Sequence, residues 1–144
     1  MSAMSDFLEN SLVDQIFRGQ TAPTTSTLYI GLYTAAPSDT GGGTELSGSG
    51  YARVSVTSSL ANWSGTQSTG STTASSGTGG ATSNNAAITF PEPTSGWGQV
   101  QAFGVFDAAT GGNLLFHGSL TINKTINQGD TVTFPAGSLV VTFA

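Results

Sequence analysis

Residues 103–120 read FGVFDAATGGNLLFHGSL. Two apolar runs flank Asp107-Ala-Ala-Thr-Gly-Gly-Asn113, a string of small and turn-forming residues, so the spacing predicts a β-hairpin. Working outward, the same period of two recurs. Residues 27–33 set Leu28, Ile30 and Leu32 against Tyr29, Gly31 and Tyr33, and residues 51–57 set Tyr51, Arg53 and Ser55 against Ala52, Val54 and Val56. Further strands are predicted at 86–90, 99–106, 114–121, 131–134 and 139–143. Asn127-Gln-Gly-Asp130 and Pro135-Ala-Gly137 punctuate the last of these. No helical pattern lies between the strands, which removes the βαβ unit. The prediction is a mainly β chain: a single antiparallel β-sandwich or jelly-roll-like domain with one N-terminal α-helix and long polar loops.

The helix is predicted over residues 6–18. Phe7, Leu8, Leu12, Val13, Ile16 and Phe17 recur at helical spacing. Ser5 or Asp6 supplies the cap, with Glu9 placed for a capping box, Arg18 in the last turn and Gly19 as the left-handed stop. The division is a helical arm over residues 1–20 and a β-sandwich domain over residues 21–144. Within that domain, residues 35–50 read as a long loop. Residues 64–85, SGTQSTGSTTASSGTGGATSNN, carry neither a charge nor a large apolar side chain. Such a low-complexity segment is expected to stay mobile in an isolated chain, because it buries too little to offset the entropy of ordering. Ordering against neighbouring subunits is the sharper alternative.

Only 8% of the 144 residues are charged, against about 25% in ordinary soluble proteins. Three are basic (Arg18, Arg53, Lys124) and eight acidic, for a formal charge of −5. So few cations cannot neutralise many phosphates, which argues against direct nucleic-acid binding and against docking on an anionic membrane. The absence of cysteine excludes disulfides and thiolate metal sites. No apolar run approaches the ~18 residues of a membrane span, and no signal peptide is legible at the N-terminus, so synthesis and folding in the cytosol are expected.

No catalytic constellation emerges, and no enzyme activity, cofactor or metal is expected. Asp107 and Asp130 are the candidates for a paired-carboxylate site, but both occupy turn contexts where Asp accepts backbone hydrogen bonds. Glu45 and Glu92 read as solvated. His117, the only histidine, has neither a nucleophile nor further metal ligands at a recognisable spacing, and reads as a partly buried or interface residue. Trp63 and Trp97, with Tyr51, suit either a sugar-stacking surface or the core, and the core reading is favoured.

The order of motifs carries one more signal. Phe7-Leu-Glu-Asn-Ser-Leu12 and Ile16-Phe-Arg-Gly19 are followed by Leu28-Tyr-Ile-Gly-Leu-Tyr-Thr-Ala-Ala-Pro37, Gly41-Gly-Gly-Thr-Glu45 and Ser49-Gly-Tyr-Ala-Arg53. Then come Asn84-Asn-Ala-Ala-Ile-Thr-Phe-Pro91, Trp97-Gly, the hairpin, Lys124-Thr-Ile-Asn-Gln-Gly-Asp130 and Phe134-Pro-Ala-Gly137. Across most of its length the chain resembles the small tailed-bacteriophage virion proteins often labelled tail fibre or head fibre proteins. Residues 64–85 depart from that family's shorter connection.

The resemblance implies a structural virion protein with no catalytic residues to transfer. The expected role is a capsid decoration, or cement, protein on the head surface, with the major capsid protein and copies of itself, as a homotrimer, for partners. The alternative is a tail-fibre or receptor-binding module for host glycans. The expected interface residues are Phe7, Leu8, Leu12 and Ile16 of the helix, with Trp63 and Trp97.

Overall fold

The computed structural model describes residues 2–143. In chain order the elements are β1 (Ser2–Met4), α1 (Asp6–Arg18), β2 (Thr27–Ala35), β3 (Thr44–Glu45), β4 (Val54–Thr57) and β5 (Ala81–Ser83). They continue with β6 (Ile88–Thr89), β7 (Gly98–Phe106), β8 (Leu114–Ile126), β9 (Thr133–Phe134) and β10 (Val140–Thr142). The main sheet runs β1-β8-β7-β2, and the far edge of β2 is shared by β3 and β4. Every pairing is antiparallel. Two short pairs, β5 with β10 and β6 with β9, form a second layer. Ile30, Leu32, Val105 and Phe116 of the main sheet share one core with Ile88, Phe90, Leu139 and Val141 of the second layer. The chain is therefore mainly β, a small antiparallel sandwich with one N-terminal helix.

The predicted hairpin is its centre. β7 and β8 pair from Phe106↔Leu114 to Gly98↔Ile126, with two breaks in register. At the first, Val105 faces Phe116 and Phe106 faces Leu114, leaving Leu115 as an extra residue. A bulge of this kind re-aims the side chains beyond it. Leu115 and Phe116 both join the core, while His117 pairs with Gly104 and lies on the other face. Strict alternation would group His117 with Leu115; the bulge separates them. At the second break, Val100 pairs with Lys124 but Ala102 with Ser119, so residues 120–123 bow out opposite Gln101 alone. That excursion brings Val100 and Phe103, three positions apart, into one core.

The reverse face of the main sheet holds a smaller cluster, Tyr33, Ala102 and Phe106, flanked by Tyr29 and Leu114. Tyr33 and Phe106 stack at 6.3 Å across Gly104. A Cβ on Gly104 would fall 2.9 Å from each ring and 3.0 Å from Leu114. Gly104→Ala is accordingly expected to destabilise by about 1–3 kcal/mol through overpacking, read as a lower denaturant midpoint.

The helix spans the predicted residues and stops at Gly19 as predicted, but it starts on Ser5 with Leu8 at the third position, so the Asp6–Glu9 capping box is not the cap used. Ser5 is the cap, its Oγ accepting the Leu8 N–H at 3.3 Å. Gly19 takes φ +67°, and the Gln20 N–H closes the end on the Asp14 carbonyl at 3.0 Å. Four features differ from the sequence reading. The arm is stitched into the sheet, since Ser2, Ala3 and Met4 pair with Gly118, His117 and Phe116. The strand predicted from Tyr51 begins at Val54, and the loop 35–50 contains β3. Residues 64–85 are not uniformly a mobile loop, because Ala81–Ser83 is strand β5 and Ser64, Ser83 and Asn84 are buried.

Asn84 explains how so polar a segment is held. It is fully buried, and its Oδ1 accepts the Leu139 N–H at 2.9 Å. Its amide donates to the carbonyls of Ala86 (2.8 Å), Pro135 (3.0 Å) and Phe134 (3.3 Å). One side chain thus supplies the hydrogen bonds that a regular ladder would otherwise provide there.

Candidate interaction surfaces

The charged residues are sparse enough to follow one by one. Arg53 leaves the start of β4 and forks onto Glu45 of β3, Nε to Oε1 and Nη2 to Oε2, both at 2.7 Å. Its Nη1 donates to the carbonyls of Ala108 and Gly111 in the hairpin turn, at 2.8 and 2.9 Å. The guanidinium lies 3.4 Å from the Phe106 ring centroid, a cation–π contact. Tyr51 donates its hydroxyl to Glu45 Oε1 at 2.9 Å and accepts the Leu32 N–H at 2.9 Å. Burial first, then the Glu45 charge, pushes the Tyr33 phenol up to about 12. Burial also raises Tyr51. Glu45, expected to be solvated, is therefore the anchor of a clamp that ties β3, β4 and the hairpin turn together.

Asp107 performs the turn role expected of it. Its Oδ1 accepts the Asn113 N–H at 2.7 Å and its Oδ2 the Asn113 side-chain amide at 2.8 Å. Asp130 does the same on a smaller scale, Oδ2 accepting the Asn127 N–H at 2.8 Å. The two carboxylates belong to separate turns. His117 sits 2.9 Å from Asp39 Oδ1, and the Asp39 carbonyl accepts the Asp6 N–H at 2.9 Å. The lone histidine thus lies where the 35–50 loop meets the start of α1. Among the described residues, no group of three or more His, Asp or Glu side chains is placed to hold a metal ion.

The aromatic candidates divide. Trp97 is buried, with its indole N–H donating to the Ser49 carbonyl at 3.0 Å and its ring edge-on to Tyr51 at 5.5 Å. Tyr51 also stacks on Phe90. Trp97 is a core residue here, and Tyr51, half-buried, packs its ring against the same core. Trp63 is half-buried and packs against the same core.

The helix is the reverse case. No residue of α1 is buried. Leu8 packs against the core and Leu12 is half-buried, so these two define its inner face. Phe7 lies at the margin, and Ile16 is 67% exposed. Val13 and Phe17, absent from the expected interface set, are 50% and 80% exposed. The legible signal was the number of apolar positions: six in thirteen residues wrap too far round a helix to face one neighbour. Spacings of three and four place Asp6, Glu9, Val13, Ile16 and Phe17 on one outward stripe.

A concave surface lies elsewhere. The bowed half of β8, with β9, β10 and the turn before β9, encloses a groove of about 700 Å³. Its apolar floor is backed by the buried Leu32, Val100, Phe103 and Leu139 and opened to solvent at Ile122 and Val140, while Ser119, Thr125, Thr131, Thr133 and Lys124 add polar lining.

No curated protein matches the chain. The family described as Podophage GP4 fiber I protein gp80 matches residues 3–142, nearly the whole sandwich and its helix. On that match the chain belongs to the Podophage GP4 fiber I protein gp80 family, and it is a structural component of a bacteriophage virion.

Proposed function

We propose that this virion protein works without enzymatic chemistry, by burying its surface against neighbouring subunits, and that it does so as a decoration protein on the phage head. The observation that supports the reading is α1: a capped helix, fixed at its start by Ser5 and β1, that carries Val13, Ile16 and Phe17 into solvent. Exposed apolar clusters of this kind mark sites of protein–protein contact. A stable specific contact buries about 1,600 Å², and the helix together with the 64–80 segment offers the reach for it. One compact sandwich without an internal repeat suits a position at capsomer junctions better than an elongated shaft. The partners are then the major capsid protein and further copies of this chain, grouped as a homotrimer.

Quantitative mass spectrometry of purified virions tests this. A decoration protein is expected at an abundance comparable to the major capsid protein. A handful of copies per particle would defeat the decoration role and favour the second reading, a fibre module, which the family's description as a fiber protein supports. Glycan recognition by stacking loses a main candidate in that second reading, since Trp97 is buried in the core and Tyr51 packs its ring against it.

The polar segment gives a separate expectation. Amide exchange over residues 66–80 should be fast in the free protein and slow in particles, while residues 81–85 stay protected in both. Equal exchange over 66–80 in the two states would show that the segment makes no assembly contact.

A further inference from the structure

We propose that the outward stripe of α1 in one copy docks into the β8–β10 groove of a second copy, with Glu9 or Asp6 meeting Lys124. The inference rests on the proposed structural role and specifies which surfaces meet. The groove, about 700 Å³, falls in the range that holds a compact, largely apolar body. That range suits a few large side chains rather than a whole helix. Val13, Ile16 and Phe17 are such a set, and they stand more exposed than any other apolar cluster on one element.

Charge selects the same pairing. Of the three basic side chains, Arg18 is engaged by Asp14 and Arg53 by Glu45. Lys124 has no ion-pair partner among the described residues and lines the groove. On the helix, Asp6 and Glu9 make no ion pair among the described residues either, and they share the stripe with the three apolar side chains. Apolar floor meets apolar stripe while lone cation meets lone carboxylates. Asp130 also lines the groove, and its negative charge repels Asp6 and Glu9, so the carboxylate end of the helix is directed towards Lys124 and away from Asp130.

The inner face of α1 keeps Leu8 against its own core, so docking leaves the subunit fold in place. Donor and acceptor are different patches, which makes the contact heterologous. Such a contact closes into a ring when the rotation between copies allows it, and a trimer is the ring proposed here.

The chain has no cysteine, which makes site-specific cross-linking clean. Asn10→Cys, beside the stripe, and Thr125→Cys, beside Lys124, would be purified separately, mixed and treated with a short bis-maleimide. The expected product is the mixed dimer, in clear excess over either homodimer. Lys124→Glu on the groove partner should abolish it, and Glu9→Lys with Asp6→Lys on the helix partner should restore it. Phe17→Ser should weaken self-association about tenfold or more, measured by sedimentation.

Predominant Asn10→Cys homodimers would overturn the proposal in favour of helix-on-helix pairing. A chain carrying both cysteines that closes only on itself would overturn it in favour of a helix filling its own groove. A native protein that stays monomeric at every concentration, without intermolecular product, overturns it as well. The structural-virion reading stands or falls separately, on the presence of the protein in purified particles.

Discussion

Arg53→Ala is expected to cost about 3 kcal/mol of folding stability, at the lower end of what breaking a buried ion pair costs. The Arg53 side chain is only 8% exposed and Glu45 24%, and the change leaves Glu45 with the Tyr51 hydroxyl alone and takes a donor from the carbonyls of Ala108 and Gly111. The loss of the cation over Phe106 adds to this. Arg53→Lys should recover little, because an ammonium cannot fork onto one carboxylate and reach two carbonyls at once. Equilibrium urea unfolding measures both. A loss for Arg53→Ala within about 0.5 kcal/mol of zero, the usual range for surface changes, would show that the clamp contributes nothing net. Arg53→Met with Glu45→Leu is the control, since an apolar replacement of the whole pair is often tolerated.

The same cluster sets the alkaline limit. The folded pKa of Tyr33 is raised to about 12, and Tyr51 is raised as well, against about 10 in the unfolded chain. The folded state therefore holds neutral phenols that unfolding would release to ionise. Stability from this source is complete below about pH 10 and is lost as pH rises through about 12. Thermal scans across that window should show a falling Tm, and Tyr33→Phe should flatten the fall.

Asn84→Ala is the second large effect. It leaves the Leu139 N–H and the carbonyls of Ala86, Phe134 and Pro135 without the side chain that joins them. The buried Leu139 N–H is left unmet, at about 1–3 kcal/mol, while the Pro135 carbonyl keeps its bonds from Ser138, so a total of about 2–3 kcal/mol is expected, read from denaturant unfolding. Asn84→Asp should be nearly as damaging, because a carboxylate cannot donate to three carbonyls. If either variant unfolds like the native chain, the 81–85 segment is not held in the way described. The effect would arise inside a stretch whose composition alone marks it as dispensable.

That contrast shows where the sequence was sufficient. The helix, its cap at Ser5, its stop at Gly19 and the hairpin around Asp107 follow from local rules. Hydrogen bonds within a few residues decide them, and the residue types at those positions leave little choice. Alternation likewise sufficed for β2, where Ile30 and Leu32 enter one core and Tyr33 the other. It failed across β8, because a bulge is a mismatch between two strands and cannot be read from either alone. Leu115 and His117, equivalent by period, end on opposite faces for that reason.

The interaction surfaces divide along the same line. Six apolar residues in α1 announced an interface helix, yet which of them face outward depends on the docking of Leu8 against the core. Trp97 and Tyr51 carried the chemistry of a stacking platform, and only packing shows Trp97 enclosed and the Tyr51 ring turned onto the core. By itself the sequence determined the helix, the central hairpin and the longer strands, the absence of cysteine chemistry and the scarcity of cations, because these are properties of single residues and their near neighbours. The tertiary structure alone decided that Glu45 anchors a clamp, that Asn84 holds a polar strand in the core, and that Lys124, without an ion-pair partner among the described residues, lines a groove with an apolar floor. Each depends on residues distant in the chain meeting in space, and one sequence does not specify which distant residues meet.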